Sequence, residues 1–307
     1  MNRSKLIGAT ALASVMAASA AHAEMSISGL FAGKLTDTDG GGLAHGISTN
    51  SIYVSYSDSM DNGMGVGVVM SVTEGAIKTD VNIDTGMGTV ALGNGVDSAV
   101  DGKDGSPACF SLNLCGSAMN ANYNDGDTLS GNSIGYSNSM GGVSFRITRG
   151  MEVATAAAVA TTATAIGTAA VEGHEPVTSI AASTSIMGAT VKAGVSQIDY
   201  KGATADKDPS FVTVGYSLAG LSLGYAMYDG DNGGEETQMG VGTSMMGMDV
   251  GVTFANADLA TDVDYTRLSV GKGMGAASFG VDYTETDVAG TDTGDSDAWQ
   301  FTYIVGF

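Results

Sequence analysis

The last nine residues, WQFTYIVGF, put Trp299, Phe301, Tyr303, Val305 and Phe307 on a single face of an extended chain. The same period of two recurs along the sequence. In SIYVSYS, Ile52, Val54 and Tyr56 alternate with Ser51, Tyr53, Ser55 and Ser57. In Leu221 to Tyr228, Leu221, Leu223, Tyr225 and Met227 alternate with Ser222, Gly224, Ala226 and Tyr228. In Ala277 to Thr284, Ala277, Phe279, Val281 and Tyr283 alternate with Ser278, Gly280, Asp282 and Thr284. One face is greasy and the other small or polar, which predicts strands that separate an apolar from a wet surface.

Sixteen such segments can be placed, from 25–36 and 47–57 at the start, through 87–94 and 131–138, to 275–285 and 298–307 at the end. Tight links at DSMDNG, TGMG, NSMGG, SIMG, SLAG, SMMG and GKGMG alternate with long links that are mostly acidic or Gly-rich. A meander of next-neighbour antiparallel strands predicts that alternation. Pro107 falls in a long link, and Pro176 and Pro209 fall at or just before strand starts, where no ladder N–H is lost. YSDSM at 56–60, YSNSM at 136–140 and GYSLAG at 215–220 end three strands that run down to a short turn. Tyr56, Tyr136 and Tyr216 then form one station of an aromatic girdle, each ring buried and each hydroxyl wet.

The start of the chain reads as an export signal. Arg3 and Lys5 precede the apolar stretch Leu6 to Ala21, and Ala21-His22-Ala23 fits a cleavage site before Glu24. Residues 1–23 are therefore expected to be removed, leaving 24–307. Loss of two cations takes the formal charge from −21 to −23. Such a chain repels nucleic acid. No stretch of the mature chain is a strongly apolar helix of membrane length. With His22 in the signal, only His45 and His174 remain, and no metal cluster, phosphate-cradling loop or nucleophile triad is legible, so neither catalysis nor a cofactor is expected. Cys109 and Cys115 are expected to close a small disulfide loop in an exported protein.

An apolar face of this extent must be hidden from water or given to lipid. A soluble sandwich leaves the polar inner rows unexplained. A closed barrel in a membrane uses strands of about 9–11 residues and leaves no edge, and about sixteen of them enclose a lumen too wide for side chains to fill. The fold expected is all-β: a transmembrane antiparallel β-barrel of about sixteen strands holding water. On alternation, Lys34, Arg146, Lys192 and Arg267 face that lumen, because a cation facing mid-bilayer lipid costs about 2–4 kcal/mol. Arg149 is expected near the outer rim.

The mature start EMSISGLFAG, MGTVALGN at 87–94, NSIGYSNSMGGVSFRI at 132–147 and the terminal phenylalanine resemble the general porins of Gram-negative outer membranes, closest to the alphaproteobacterial trimeric type. The resemblance implies an outer-membrane homotrimer that passes small hydrophilic solutes. It implies a loop after the fifth strand, here 94–130, that folds into the lumen. Asp97, Asp101, Lys103 and Asp104 of that loop would then face Lys34, Arg146, Lys192 and Arg267 across the constriction. It also implies that Phe301, Tyr303, Val305 and Phe307 are the signal read by the outer-membrane assembly machinery. Few cations against many carboxylates predict a cation-preferring pore. The acidic links DTDGGG at 37–42, DGDNGGEE at 229–236 and TETDVAGTDTGDSD at 284–297 are expected to be solvated, with Ca²⁺ bridging to lipopolysaccharide as their binding alternative. The competing class is a surface-displayed acidic β protein, an adhesin or Ca²⁺ binder without a channel.

Overall fold

The computed structural model describes residues 24–38, 41–73, 76–100, 132–151, 175–201, 206–230, 234–258, 262–290 and 295–307. Among them the strands are β1 (Glu24–Thr38), β2 (Gly42–Ser59), β3 (Gly65–Thr73), β4 (Ala76–Asp84), β5 (Thr89–Gly93), β6 (Ser133–Met140), β7 (Val143–Arg149) and β8 (Thr178–Ile186). They continue as β9 (Ala189–Gln197), β10 (Ser210–Leu218), β11 (Leu221–Asp229), β12 (Glu235–Met245), β13 (Met248–Asp258), β14 (Val263–Met274), β15 (Ala277–Val288) and β16 (Ser296–Gly306). Each pairs antiparallel with its sequence neighbours, and β1 pairs with β16 to close a barrel. This is the expected sixteen-strand antiparallel barrel.

Its exposure is inverted relative to a soluble protein. Phe254 and Trp299, on the outer face, are 52% and 54% exposed, whereas Gln238 and Thr302, on the inner face, are 0% exposed. Greasy rows outside and polar rows inside are the arrangement that lipid, not water, stabilises.

Tight turns close one end. Met187-Gly188, Ala219-Gly220 and Met246-Gly247 each have both φ values positive, between 50° and 85°, as do Gly141-Gly142. Two positive-φ residues make the type I′ turn, whose twist matches that of the flanking strands. At the other end the links are less uniform than the sequence suggests. The first link spans only 39–41 and the second only 74–75, and Asp37, Thr38 and Gly42 of DTDGGG belong to β1 and β2. The upper half of β2 escapes a period-two reading for a definite reason. Ala32 pairs with Thr49 but Gly33 pairs with Ile47, so Ser48 is a bulge. Below it Ile52, Val54 and Tyr56 face outward, and above it the phase flips to Leu43, His45 and Ile47. The two ends of the acidic run 284–297 likewise belong to strands, with β15 reaching Val288 and β16 starting at Ser296.

The seam between first and last strands is made by rings laid over glycines. Gly29 N–H donates to Phe307 O at 2.9 Å, and Phe307 N–H donates back to Gly29 O at 3.1 Å. The Phe307 ring occupies the space a Cβ on Gly29 would need, and the Tyr303 ring does the same over Gly33. Phe31 lies 5.9 Å from Tyr303 and Phe301 6.3 Å from it, centroid to centroid. His45 Nε2 reaches the Tyr303 hydroxyl at 3.1 Å. Substituting Gly33→Val must displace the Tyr303 ring, an overpacking that costs about 1–3 kcal/mol. Heat or urea unfolding of the assembled barrel is expected to show that loss, and Tyr303→Ala in the same chain is expected to recover part of it. A G33V barrel as stable as the parent contradicts this view of the seam.

Candidate functional site: the segment that enters the barrel

At Gly93 the chain leaves the wall. A Cβ there would overlap the Thr79 carbonyl, and its φ is 153°, so the exit is shaped for glycine. Asn94 prolongs the ladder by one false rung: its Oδ1 accepts the Thr79 N–H at 2.6 Å and its Nδ2 donates to Ile77 O at 3.2 Å. Gly95 N–H donates to the Asp80 carboxylate at 2.8 Å, and a Cβ on Gly95 would stand 2.6 Å from Asp80 Oδ2. Asp80 thus grips the root of the segment only because residue 95 has no side chain.

Beyond the root the chain lies on the inner wall. Val96 faces Gly135 of β6, whose added Cβ would sit 3.2 Å from Val96 Cγ1. Arg146 Nη2 donates to the Asp97 carbonyl at 2.8 Å. Ser98 Oγ donates to Ser179 Oγ at 2.8 Å, and Ser179 is 2.6 Å from Ser196 Oγ. Ala99 N–H donates to Thr148 Oγ1 at 2.8 Å. Val100 is fully buried against Phe211, Ala226, Tyr228 and Ala181. Residues 94–100 therefore cross the lumen faces of β6 to β11, pinned by hydroxyls and ended by an apolar socket. The hydroxyls of Ser98, Ser179 and Thr148 along that path are all partnered, as burial demands.

A cavity of about 490 Å³ opens beside this segment, lined by Ala99, Ser144, Arg146, Ser183, Lys192 and Phe211 among others. The structure thus brings Arg146 and Lys192 together with the inserted segment. Asp97 meets Arg146 through its backbone carbonyl; its carboxylate is exposed. Lys34 and Arg267 face inward too, opposite Thr302 and Thr284 respectively, but on other arcs of the ring. Arg267 is 2% exposed, donates to Thr284 Oγ1 at 3.0 Å and feels the charges of Asp282 and Glu236. Asp101, Lys103, Asp104, Cys109 and Cys115 lie outside the described residues. Among the described residues no group of three or more His, Cys, Asp or Glu is arranged to hold a metal ion.

Tyr56, Tyr136 and Tyr216 all point outward just above the tight turns of β2, β6 and β10. The Tyr136 hydroxyl donates to Met87 O at 2.6 Å, and its ring lies 5.9 Å from Phe145. Phe301, Tyr303, Val305 and Phe307 share the outward face of β16 and its end, Phe307 being 73% exposed. Sequence reasoning missed Asp80, Asn94, Ser98, Thr148 and Ser179, which do the anchoring. The one signal available was Tyr228, a large ring on an otherwise small and polar face.

A sixteen-strand barrel with a segment turned into its lumen defines a channel of the outer membrane. The family model of the Gram-negative porin matches residues 8–306, and the chain belongs to that family. Among solved structures, a substituted form of the Rhodobacter blastica porin is similar with a TM-score of 0.65 at 16% identity, covering 92% of this chain and 100% of that one. The outer-membrane protein OmpT of Vibrio cholerae is similar with a TM-score of 0.66 at 12% identity, covering 93% and 98%. At such identities the likeness is one of fold. No curated protein sequence matches the chain. The family places the chain in the Gram-negative outer membrane.

The Asp80 grip can be tested on the root itself. Asp80→Ala removes a hydrogen bond to a charged group, about 1.5–3 kcal/mol. Protease added to the reconstituted barrel is expected to cut within 94–130 at least about tenfold faster than in the parent, while Asp80→Asn, which keeps an acceptor, stays near the parent rate. Equal rates for all three would show that the grip does not hold the segment.

Proposed function

We propose that the barrel passes small hydrophilic solutes and ions by passive diffusion, with the narrowest passage between the inserted segment and the wall at Arg146 and Lys192. The single observation that carries this reading is the pinned course of residues 94–100 beside the 490 Å³ cavity that these two cations line. Asp97 belongs to the same constriction, and Asp101, Lys103 and Asp104 extend it. Lys34 and Arg267 shape the field farther round the wall. The passage prefers cations, because a mature charge of −23 surrounds a few basic residues. Residues 1–23 are removed on export, and the barrel assembles as a homotrimer in lipid and lipopolysaccharide. Tyr56, Tyr136 and Tyr216 anchor its turn end at the inner interface, and Phe301, Tyr303, Val305 and Phe307 present it to the assembly machinery.

Purified protein added to a planar bilayer in a salt gradient is expected to give stepwise conductance and a zero-current potential of cation-preferring sign. Arg146→Gln with Lys192→Gln is expected to raise the cation-to-anion permeability ratio about fivefold, the effect of about 1 kcal/mol for charges near the passing ion. An anion-preferring parent removes the selectivity reading. Electrical silence removes the channel and leaves a surface-displayed acidic β protein.

A further inference from the structure

The wall is not of even height. β5, β6 and β7 have 5, 8 and 7 residues, against 11 or 12 in each strand from β12 to β16. Arg149 ends this low sector. It pairs across the ladder with Ile134 and Thr178, and it shares the outward phase of Val143 and Ile147, which are 41% and 40% exposed. The six steps from Val143 raise Arg149 about 16 Å above the turn end, for strands rising ~3.4 Å per residue at a tilt of ~40°. The outward apolar band of such barrels is about 25 Å tall. Arg149 therefore meets the membrane at a depth where a lone cation is costly.

Around it the outer wall is hollowed. A cleft of about 490 Å³ is lined by Arg149 with Leu92, Ile134, Met151 and Pro176. Leu92, Ile134 and Met151 are 39%, 49% and 57% exposed, so the apolar lining is open to the surroundings. Among the described residues, the polar contact of the Arg149 side chain is one bond, Nη1 to Thr178 Oγ1 at 3.2 Å. A guanidinium has five N–H donors in a planar fork, which matches a phosphate with two parallel bonds. The link that follows Arg149 is one of the long ones, so the cleft opens toward the outer leaflet.

We propose that this cleft binds a phosphorylated lipid of the outer leaflet, its phosphate on Arg149 and an acyl chain along Leu92, Ile134 and Met151. The low sector brings the lipid headgroup down to the arginine, and the headgroup in turn neutralises a charge the band would otherwise reject. The site lies on the opposite side of the wall from the lumen and does not depend on permeation.

The test is native mass spectrometry of the processed, assembled protein in detergent, titrated with diphosphoryl lipid A and with its dephosphorylated counterpart. The parent is expected to hold the phosphorylated lipid about tenfold more tightly than the dephosphorylated one, a difference of about 1.4 kcal/mol. Arg149→Gln is expected to lose that preference and Arg149→Lys to keep part of it. Ile134→Trp fills the cleft and is expected to lose the adduct with the arginine in place. Heat-modifiable gel migration checks that each variant is a folded barrel, and bilayer conductance of R149Q is expected to equal that of the parent. Equal lipid retention by the parent, R149Q and I134W overturns the site. Loss of the oligomer in R149Q with lipid adducts unchanged also overturns it, and assigns the cleft to a second copy of the chain.

Discussion

A backbone amide inside hydrocarbon has no water to turn to. Each unsatisfied N–H or C=O there costs several kcal/mol, so a sheet can enter a membrane only if its last strand pairs with its first. That requirement sits behind the rest of this structure. It explains why β1 is long enough to pair with both β2 and β16, and why the terminal residue, Phe307, exchanges both backbone bonds with Gly29. The closing pair is also where the outer surface is richest in rings. Phe31 lies 5.9 Å from Tyr303, Phe301 6.3 Å from Tyr303 and Phe279 6.2 Å from Phe301, and Gly33 and Gly29 leave room for the rings of Tyr303 and Phe307. Aromatic area over a bare backbone shields the join from lipid while adding dispersion contact.

Closure at this strand number creates the second problem, an interior too wide to pack. The chain solves it in part with itself. Residues 94–100 lie on the inner wall using a logic opposite to that of a soluble core: hydroxyl-to-hydroxyl contacts from Ser98 to Ser179 and Ser196, an amide on Thr148, and only one apolar socket around Val100. Short polar side chains on β7, β8 and β9 leave the depth that the inserted backbone needs. Beside the described part of the segment, Arg146 and Lys192 line the cavity. The same residues that shape the passage therefore also fix the segment, Arg146 by its bond to the Asp97 carbonyl.

Much of the barrel was legible because strands with one face in lipid and one in water must alternate. β6 spans Ser133–Met140 where 131–138 is read, and β16 spans Ser296–Gly306 where 298–307 is read. The misreadings have physical causes. Ser48 is an extra residue that reverses phase, so the alternation in β2 cannot be followed through it. β5 reads as 87–94 but spans only Thr89–Gly93, because Met87 O is taken by Tyr136 and Asn138 and Gly93 already bends away. The inward-facing cations were legible from phase alone, since Lys34, Arg146, Lys192 and Arg267 all face the lumen. Their grouping was not: adjacency of Arg146 and Lys192 depends on where the inserted segment runs, and Arg267 is enclosed by polar neighbours on another arc. The anchors were invisible because a serine that receives a loop looks, in sequence, like any serine on a wet face.

The wall separates lipid from water residue by residue. β8 tests this directly, since Ile180 and Thr184 share the outward phase of Ile147 and Val143, whereas Ser183 faces the cavity. Nitroxides placed singly at these three positions, in a chain with Cys109→Ser and Cys115→Ser, can be probed by collision with oxygen and with a water-soluble nickel chelate. Sites 180 and 184 are expected to favour oxygen and site 183 the chelate. Uniform chelate access at all three would mean a sheet bathed in water on both sides, which contradicts a lipid-facing wall.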